Sequence, residues 1–181
     1  LFASVVSGQG GNQDGSGGIV QYDLPSSTWN TSVLPSGQVD RVTAYQSSSG
    51  HTWVSWGELG LEVYSPSGAK LGFWEDLEFP VREIIEYGGL VLFATEDGVE
   101  RFNETTFSWE STWTPGNGLP NNVGDWVGEL WTDGQHLLVG TATFAWWGGF
   151  QRGVIGHLDG STGAWSTVET GQNGIPNAVS Y

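Results

Sequence analysis

The chain has no cysteine, no methionine and only five lysines and arginines among its 181 residues. Each absence removes a class of function. Without cysteine there is no disulfide framework, no zinc–thiolate site and no thiol nucleophile. No apolar run approaches the roughly 18 residues of a membrane-spanning helix, so membrane insertion by a helix is excluded. Against the five basic residues stand 20 Asp and Glu, a formal charge of −15. Such a surface repels polyanions within a Debye length, which argues against DNA, RNA and anionic lipid as partners. Helical periodicity is also missing: no stretch repeats apolar residues at three and four over three turns. A chain that opens at Leu1 and lacks Met altogether is expected to be a processed product or a fragment of something longer.

What is abundant is glycine, at 29 residues, and tryptophan, at 11. Short runs alternate apolar and polar residues and are bounded by Gly, Pro, Ser, Asn and Asp, the punctuation of strands and turns. The aromatic content is too high for a disordered acidic chain. The expected class is therefore all-β.

Four copies of one unit can be superposed. Leu1-Phe2-Ala3-Ser4, Trp53-Val54-Ser55-Trp56, Leu92-Phe93-Ala94-Thr95 and Leu138-Val139-Gly140-Thr141 end the second strand of each copy. After a turn, Gly18-Ile19, Gly60-Leu61, Gly98-Val99 and Gly153-Val154 start the third. Each third strand leads to a tryptophan, Trp29, Trp74, Trp109 or Trp165, and then to a proline. Those prolines, Pro35, Pro80, Pro120 and Pro176, recur 45, 40 and 56 residues apart. First strands then begin near Val39, Val81, Val123 and Val179. Four short strands per unit at this period predict a β-propeller of about four four-stranded blades, because a lone blade must bury its faces against neighbours. Residues 1–181 are expected to form one such region. The frame starts in a second strand and stops in a first: a closed four-bladed ring would set Asn177–Tyr181 beside Leu1–Val6, but the expectation is an incomplete ring of a longer chain or one completed by self-association. Tight turns are expected at Asp97-Gly98 and Asp133-Gly134.

Gly118-Leu119-Pro120-Asn121-Asn122-Val123, then Trp131-Thr132-Asp133-Gly134 and Leu138-Val139-Gly140-Thr141, resemble the two-component regulator propeller repeat, with Leu138 where that pattern carries Trp. The resemblance implies a propeller that senses or scaffolds, since in that family the propeller is a sensor region joined to signalling domains. Asp159-Gly160-Ser161-Thr162-Gly163-Ala164-Trp165 is similar to the tryptophan docking motif of quinoprotein and kelch-like blades, where it is a packing device.

Propeller topology puts the Gly-Leu-Pro loops on the same rim as two insertions, Ser7–Gly17 and Ala142–Arg152, whose counterpart in the third repeat is only Glu96-Asp97. Long loops on a repeat scaffold carry binding. The second insertion holds Trp146, Trp147, Phe150 and Arg152, an aromatic group that can stack a sugar ring or anchor a protein partner beside one of the few cations. The same aromatics can instead cap a neighbouring blade. Asn12 and Asp14 in the first insertion faintly suggest a calcium loop, but no bidentate carboxylate follows at the right distance, and a plain loop is the better reading. A rival catalytic reading rests on Asp40, Glu83 and Asp125, acids in channel-lining first strands that would suit glycoside hydrolysis if correctly spaced. No cofactor is expected. His51 and His136 hold equivalent positions in different blades and His157 lies in a third strand, so no metal set or hydrolase triad is expected from them. Two sequons, Asn30-Thr31-Ser32 and Asn103-Glu104-Thr105, mildly favour an exported or cell-surface protein. The leading expectation is a non-catalytic binding or scaffolding module; the alternatives are a carbohydrate-active enzyme and a structural segment of a large surface protein.

Overall fold

Glycines at strand starts and ends, and β-branched or aromatic residues between them, set the lengths of the strands. The computed structural model describes residues 2–7, 16–23, 28–30, 37–38, 42–75, 81–121, 123, 126–145 and 149–169. These fall in two compact units, Leu1–Val81 and Arg82–Tyr181. Among the described residues the only helical element is a single 3₁₀ turn, Gly57–Leu59.

The first unit carries two sheets. One consists of β1 (Phe2–Ser7), β2 (Ser16–Asp23) and β3 (Thr28–Asn30), with β4 (Gly37–Gln38) returning to pair with the start of β2. The other is β5 (Thr43–Gln46), β6 (Thr52–Ser55), β7 (Leu61–Tyr64) and β8 (Lys70–Trp74), antiparallel in chain order. Trp53, Val54, Leu61 and Val63 are fully buried, and the indoles of Trp53 and Trp74 stack with centroids 5.8 Å apart.

The second unit repeats the pattern with β9 (Glu83–Tyr87), β10 (Leu90–Thr95), β11 (Gly98–Asn103) and β12 (Ser108–Trp109). A short parallel pair follows, β13 (Thr114–Pro115) and β14 (Gly118–Leu119). Its last sheet is β15 (Trp126–Thr132), β16 (His136–Ala145), β17 (Gly149–Asp159) and β18 (Ala164–Glu169). These two sheets face each other over one apolar core that includes Leu92, Val99, Val127, Leu130, Leu137 and Val139. Each such buried aliphatic side chain contributes about 1.5–3 kcal/mol.

The Gly-Leu-Pro motif works at this core. Leu119 is buried in it, while Gly118 sits where an added Cβ would lie 2.1 Å from the Trp113 indole. Trp113 in turn meets Trp165 edge-on at 6.1 Å and carries the Arg101 guanidinium 4.7 Å above its ring. The segment thus folds over Trp113 because only glycine allows the backbone that close. The docking-type motif is a packing and turn device as expected: Asp159 Oδ1 accepts from Ser161 N at 2.8 Å, and Trp165 lies against Gly156.

Three details differ from the sequence reading. Trp29, Trp109 and Trp165 pair near the ends of their third strands, with Tyr22, Phe102 and Leu158, whereas Trp74 pairs with Leu61 at the start. Its counterpart in the third sheet is Trp113, bridged to Val99. The backbone makes the same equivalence, since a Cβ on Gly60 would lie 2.4 Å from the Trp74 carbonyl oxygen and one on Gly98 2.2 Å from that of Trp113. The turn expected at Asp97-Gly98 is shifted by one residue: Thr95 pairs with Gly98, so Glu96 and Asp97 are the turn. Gly88-Gly89, both at positive φ, make a two-residue turn that the sequence reading did not single out. Asn177–Tyr181, on which closure against Leu1–Val6 would depend, lie outside the described residues, as does the loop with Asn12 and Asp14.

Candidate binding rim

The rim expected to bear the site is the end of the sheets where second strands turn into third strands. In the third sheet that turn is minimal, and Thr95 Oγ1 accepts from Asp97 N across it at 3.3 Å. In the fourth it is replaced by an extension of the sheet itself. β16 and β17 remain paired from His136 opposite Asp159 out to Ala145 opposite Gly149, with a bulge between Thr143 and Phe144. Among the described residues their outer partners reach Trp126 of β15, opposite Ala142, and Glu169 of β18, opposite Val154. The described arms of the insertion, Ala142–Ala145 and Gly149–Arg152, therefore form a two-stranded ribbon and not an irregular loop. Phe150 and Arg152 are strand residues, opposite Phe144 and Thr143. Trp146 and Trp147 lie outside the described residues.

At the foot of this ribbon three side chains from three elements converge. Trp126 opens β15 beside Ala142. The Arg82 guanidinium, just before β9, lies 4.1 Å above the Trp126 ring, and its Nη2 donates to Glu96 Oε1 at 2.6 Å. The Arg82 and Glu96 side chains keep 19% and 37% of their exposure, so this ion pair lies at the solvent boundary. The arrangement offers a guanidinium, a carboxylate and an indole on one patch, groups suited to hydroxyl-rich or polar ligands.

Of the rival catalytic acids, only Glu83 is among the described residues; Asp40 and Asp125 are not. Glu83 is the first residue of β9, as expected for a first strand, and its Oε2 accepts from the backbone N–H of Leu130 at 2.8 Å. That bond crosses from the third sheet to the fourth and satisfies a donor on the inner strand β15, next to the bulge between Val127 and Glu129. Its observed role is to join two sheets.

The sequence reading missed a histidine pair at the opposite end of the fourth sheet. His136 opens β16 and His157 lies in β17, one on each of two adjacent strands, with ring centroids 5.3 Å apart. Repeat equivalence relates His136 to His51, whereas its neighbour in space is set by the register of its own sheet. Asp133 Oδ2 is 2.9 Å from His136 Nδ1, and this hydrogen bond raises the imidazole above its ordinary value and holds the Asp133 carboxyl well below the usual carboxylate range. No group of three or more His, Asp or Glu residues placed to hold a metal ion occurs among the described residues.

The second sheet also holds a buried charge cluster that spacing along the chain does not signal. Glu62 in β7 is 8% exposed and accepts from Trp56 Nε1 at 2.7 Å, from the Tyr64 hydroxyl at 2.5 Å and from Lys70 Nζ. Burial pushes its carboxyl up, but these donors outweigh it and leave it below the usual value. The Tyr64 phenol is raised by burial and by the adjacent carboxylate.

No protein-family model matches the chain, and no curated protein matches it. Solved structures do. The extracellular domain of the putative hybrid two-component system BT3049 from B. thetaiotaomicron superposes with a TM-score of 0.58 at 18% identity, over 96% of this chain and 22% of its own. The extracellular domain of the putative one-component system BT4673 from the same organism gives 0.54 at 17% identity, over 84% and 20%. A computationally designed protein, Ika8, gives 0.55 at 13% identity, over 88% and 47%. The chain thus spans between about a fifth and a half of these neighbours. The fold is a β-propeller type, built of four four-stranded antiparallel sheets. At these identities the likeness is one of architecture.

Proposed function

We propose that this chain is a non-catalytic propeller module, exported or held at a cell surface, that binds a carbohydrate or a protein partner through the rim carrying the β16–β17 ribbon. The observation that carries the reading is the ribbon itself. Paired strands continue past Ala142 and carry Phe150 and Arg152, and the sequence that joins them is Trp146-Trp147-Gly148; the Trp126–Arg82–Glu96 patch begins where Trp126 lies opposite Ala142. Indoles and a guanidinium suit stacking on sugar rings or anchoring in a partner's pocket. The resemblance to regulator propellers, and the extracellular domains among the structural neighbours, support a sensing or scaffolding role outside the cell.

A glycan array together with pull-down from the culture medium tests this. Binding that is lost in Trp146→Ala/Trp147→Ala while thermal stability is retained supports the rim. Unchanged binding with lowered stability makes the two indoles packing residues. Turnover of a glycan that disappears in Asp125→Asn overturns the non-catalytic reading. The solution mass of the purified chain distinguishes a monomer from self-association that completes the ring.

A further inference from the structure

The histidine pair described above has the makings of a ligand site, and it lies at the end of the fourth sheet away from the ribbon. In the antiparallel register His136 is opposite Asp159 and His157 is opposite Leu138, so His136, Leu138, His157 and Asp159 share one face. Ser166, opposite His157 on β18, shares it too. Both rings have their δ-nitrogens engaged. His136 Nδ1 is 2.9 Å from Asp133 Oδ2, and His157 Nδ1 is 3.2 Å from Ser166 Oγ. Asp133 is itself fixed, since its Oδ1 accepts from the backbone N–H groups of Gln135 and His136 at 2.9 and 2.7 Å. An imidazole whose Nδ1–H donates to a carboxylate carries its lone pair on Nε2, the orientation that metal-ligating histidines adopt.

The spacing agrees. Two imidazoles sharing a tetrahedral ion through nitrogens at about 2.0–2.1 Å hold their ring centres about 5 Å apart, and the rings here stand 5.3 Å apart at 38°. The face is open, the His136 side chain retaining 35% of its exposure. Asp159 adds negative charge beside His136, and the chain as a whole carries −15. We propose that His136 and His157 chelate one divalent first-row transition ion of the zinc, nickel and copper group through their ε-nitrogens, with Asp133 as the orienting partner and water completing the shell. In a chain without cysteine, imidazole is the side chain best suited to such ions.

Calorimetric titration of the untagged protein with nickel, zinc or copper chloride at pH 7.5 tests the site. One ion per chain is expected. His136→Ala and His157→Ala each weaken it more than about tenfold, and Asp133→Asn weakens it by about tenfold, the range seen when an outer partner is lost. His51→Ala leaves it unchanged. On the wild-type chain, substoichiometric Cu²⁺ should broaden the ring-proton signals of His136 and His157 before those of His51. Absence of binding at millimolar metal, binding that survives either of the two alanine substitutions, or earlier broadening at His51 overturns the proposal.

Discussion

The second and third sheets are built to the same plan and solve the same problem differently. Each has four antiparallel strands in chain order, and each third strand is entered through glycine, an apolar residue and a glutamate: Gly60-Leu61-Glu62 and Gly98-Val99-Glu100. In the second sheet the glutamate is buried under three donors, from Trp56, Tyr64 and Lys70. In the third, Glu100 is half-buried and accepts from Thr112 Oγ1 at 2.8 Å. Two residues on, the second sheet has Tyr64, whose hydroxyl serves the carboxylate. The third has Phe102, fully buried edge-on against Trp109 and Phe107 at 5.1 and 5.2 Å. One repeat position therefore tolerates either a desolvated charge or a wet one, provided the same face supplies donors in the first case and aromatic area in the second.

The largest expected break in this comparison is Phe102→Ala, which empties an aromatic site and should lower stability by about 3–5 kcal/mol in urea unfolding. Next come Gly98→Ala and Gly60→Ala, each with a Cβ driven onto a tryptophan carbonyl at positive φ. Losses of about 2–4 kcal/mol are expected for both, and equal losses would sharpen the equivalence of Trp113 and Trp74. Gly88→Ala, where nothing lies within 4 Å of the added carbon, should cost only about 1 kcal/mol. Glu62→Gln strips the charge from a buried hydrogen-bonded group and should cost about 1–3 kcal/mol, whereas Glu100→Gln should stay within about 0.5 kcal/mol. If the two glutamine variants proved equally mild, the buried cluster would have no energetic distinction.

Acid unfolding probes the Glu62 cluster along a different axis. The Glu62 carboxyl is lowered in the folded chain, so its contribution is present above the unfolded value of about 4.3 and is lost as pH falls through the lower folded value. Glu62→Gln should therefore flatten the acid limb of the stability curve. At His136 the sign reverses. A raised imidazole contributes below about 6.5 and loses its contribution as pH rises through the folded value, and Asp133→Asn should return the titration seen by NMR toward that of a free imidazole.

The strand frame was legible because Gly-apolar starts and turn residues are local signals. Gly60, Gly98 and the Leu92–Thr95 run sit where the repeat put them. Trp74 departs from the repeat because a tryptophan ruler counts residues, while pairing depends on register: Trp74 meets the start of its third strand and Trp109 the end of its own. The ribbon reads as a loop in the sequence because Gly148-Gly149 and the aromatics around them carry no strand alternation, although Thr143, Phe144 and Ala145 continue the ladder. The histidine pair and the Glu62 cluster depend on which residues face each other across a sheet. Spacing along the chain does not carry that information.

Among the described residues, the outer end of the β16–β17 pair has ladder neighbours on one side only. Beyond Ala142 on β16 and before Gly153 on β17, the described backbone has no third strand beside it. Deuterium uptake should therefore run in a gradient along β16, slow at Val139 and fast at Thr143. A ligand clasped at that end would be recorded there first, as amide protons that cease to exchange.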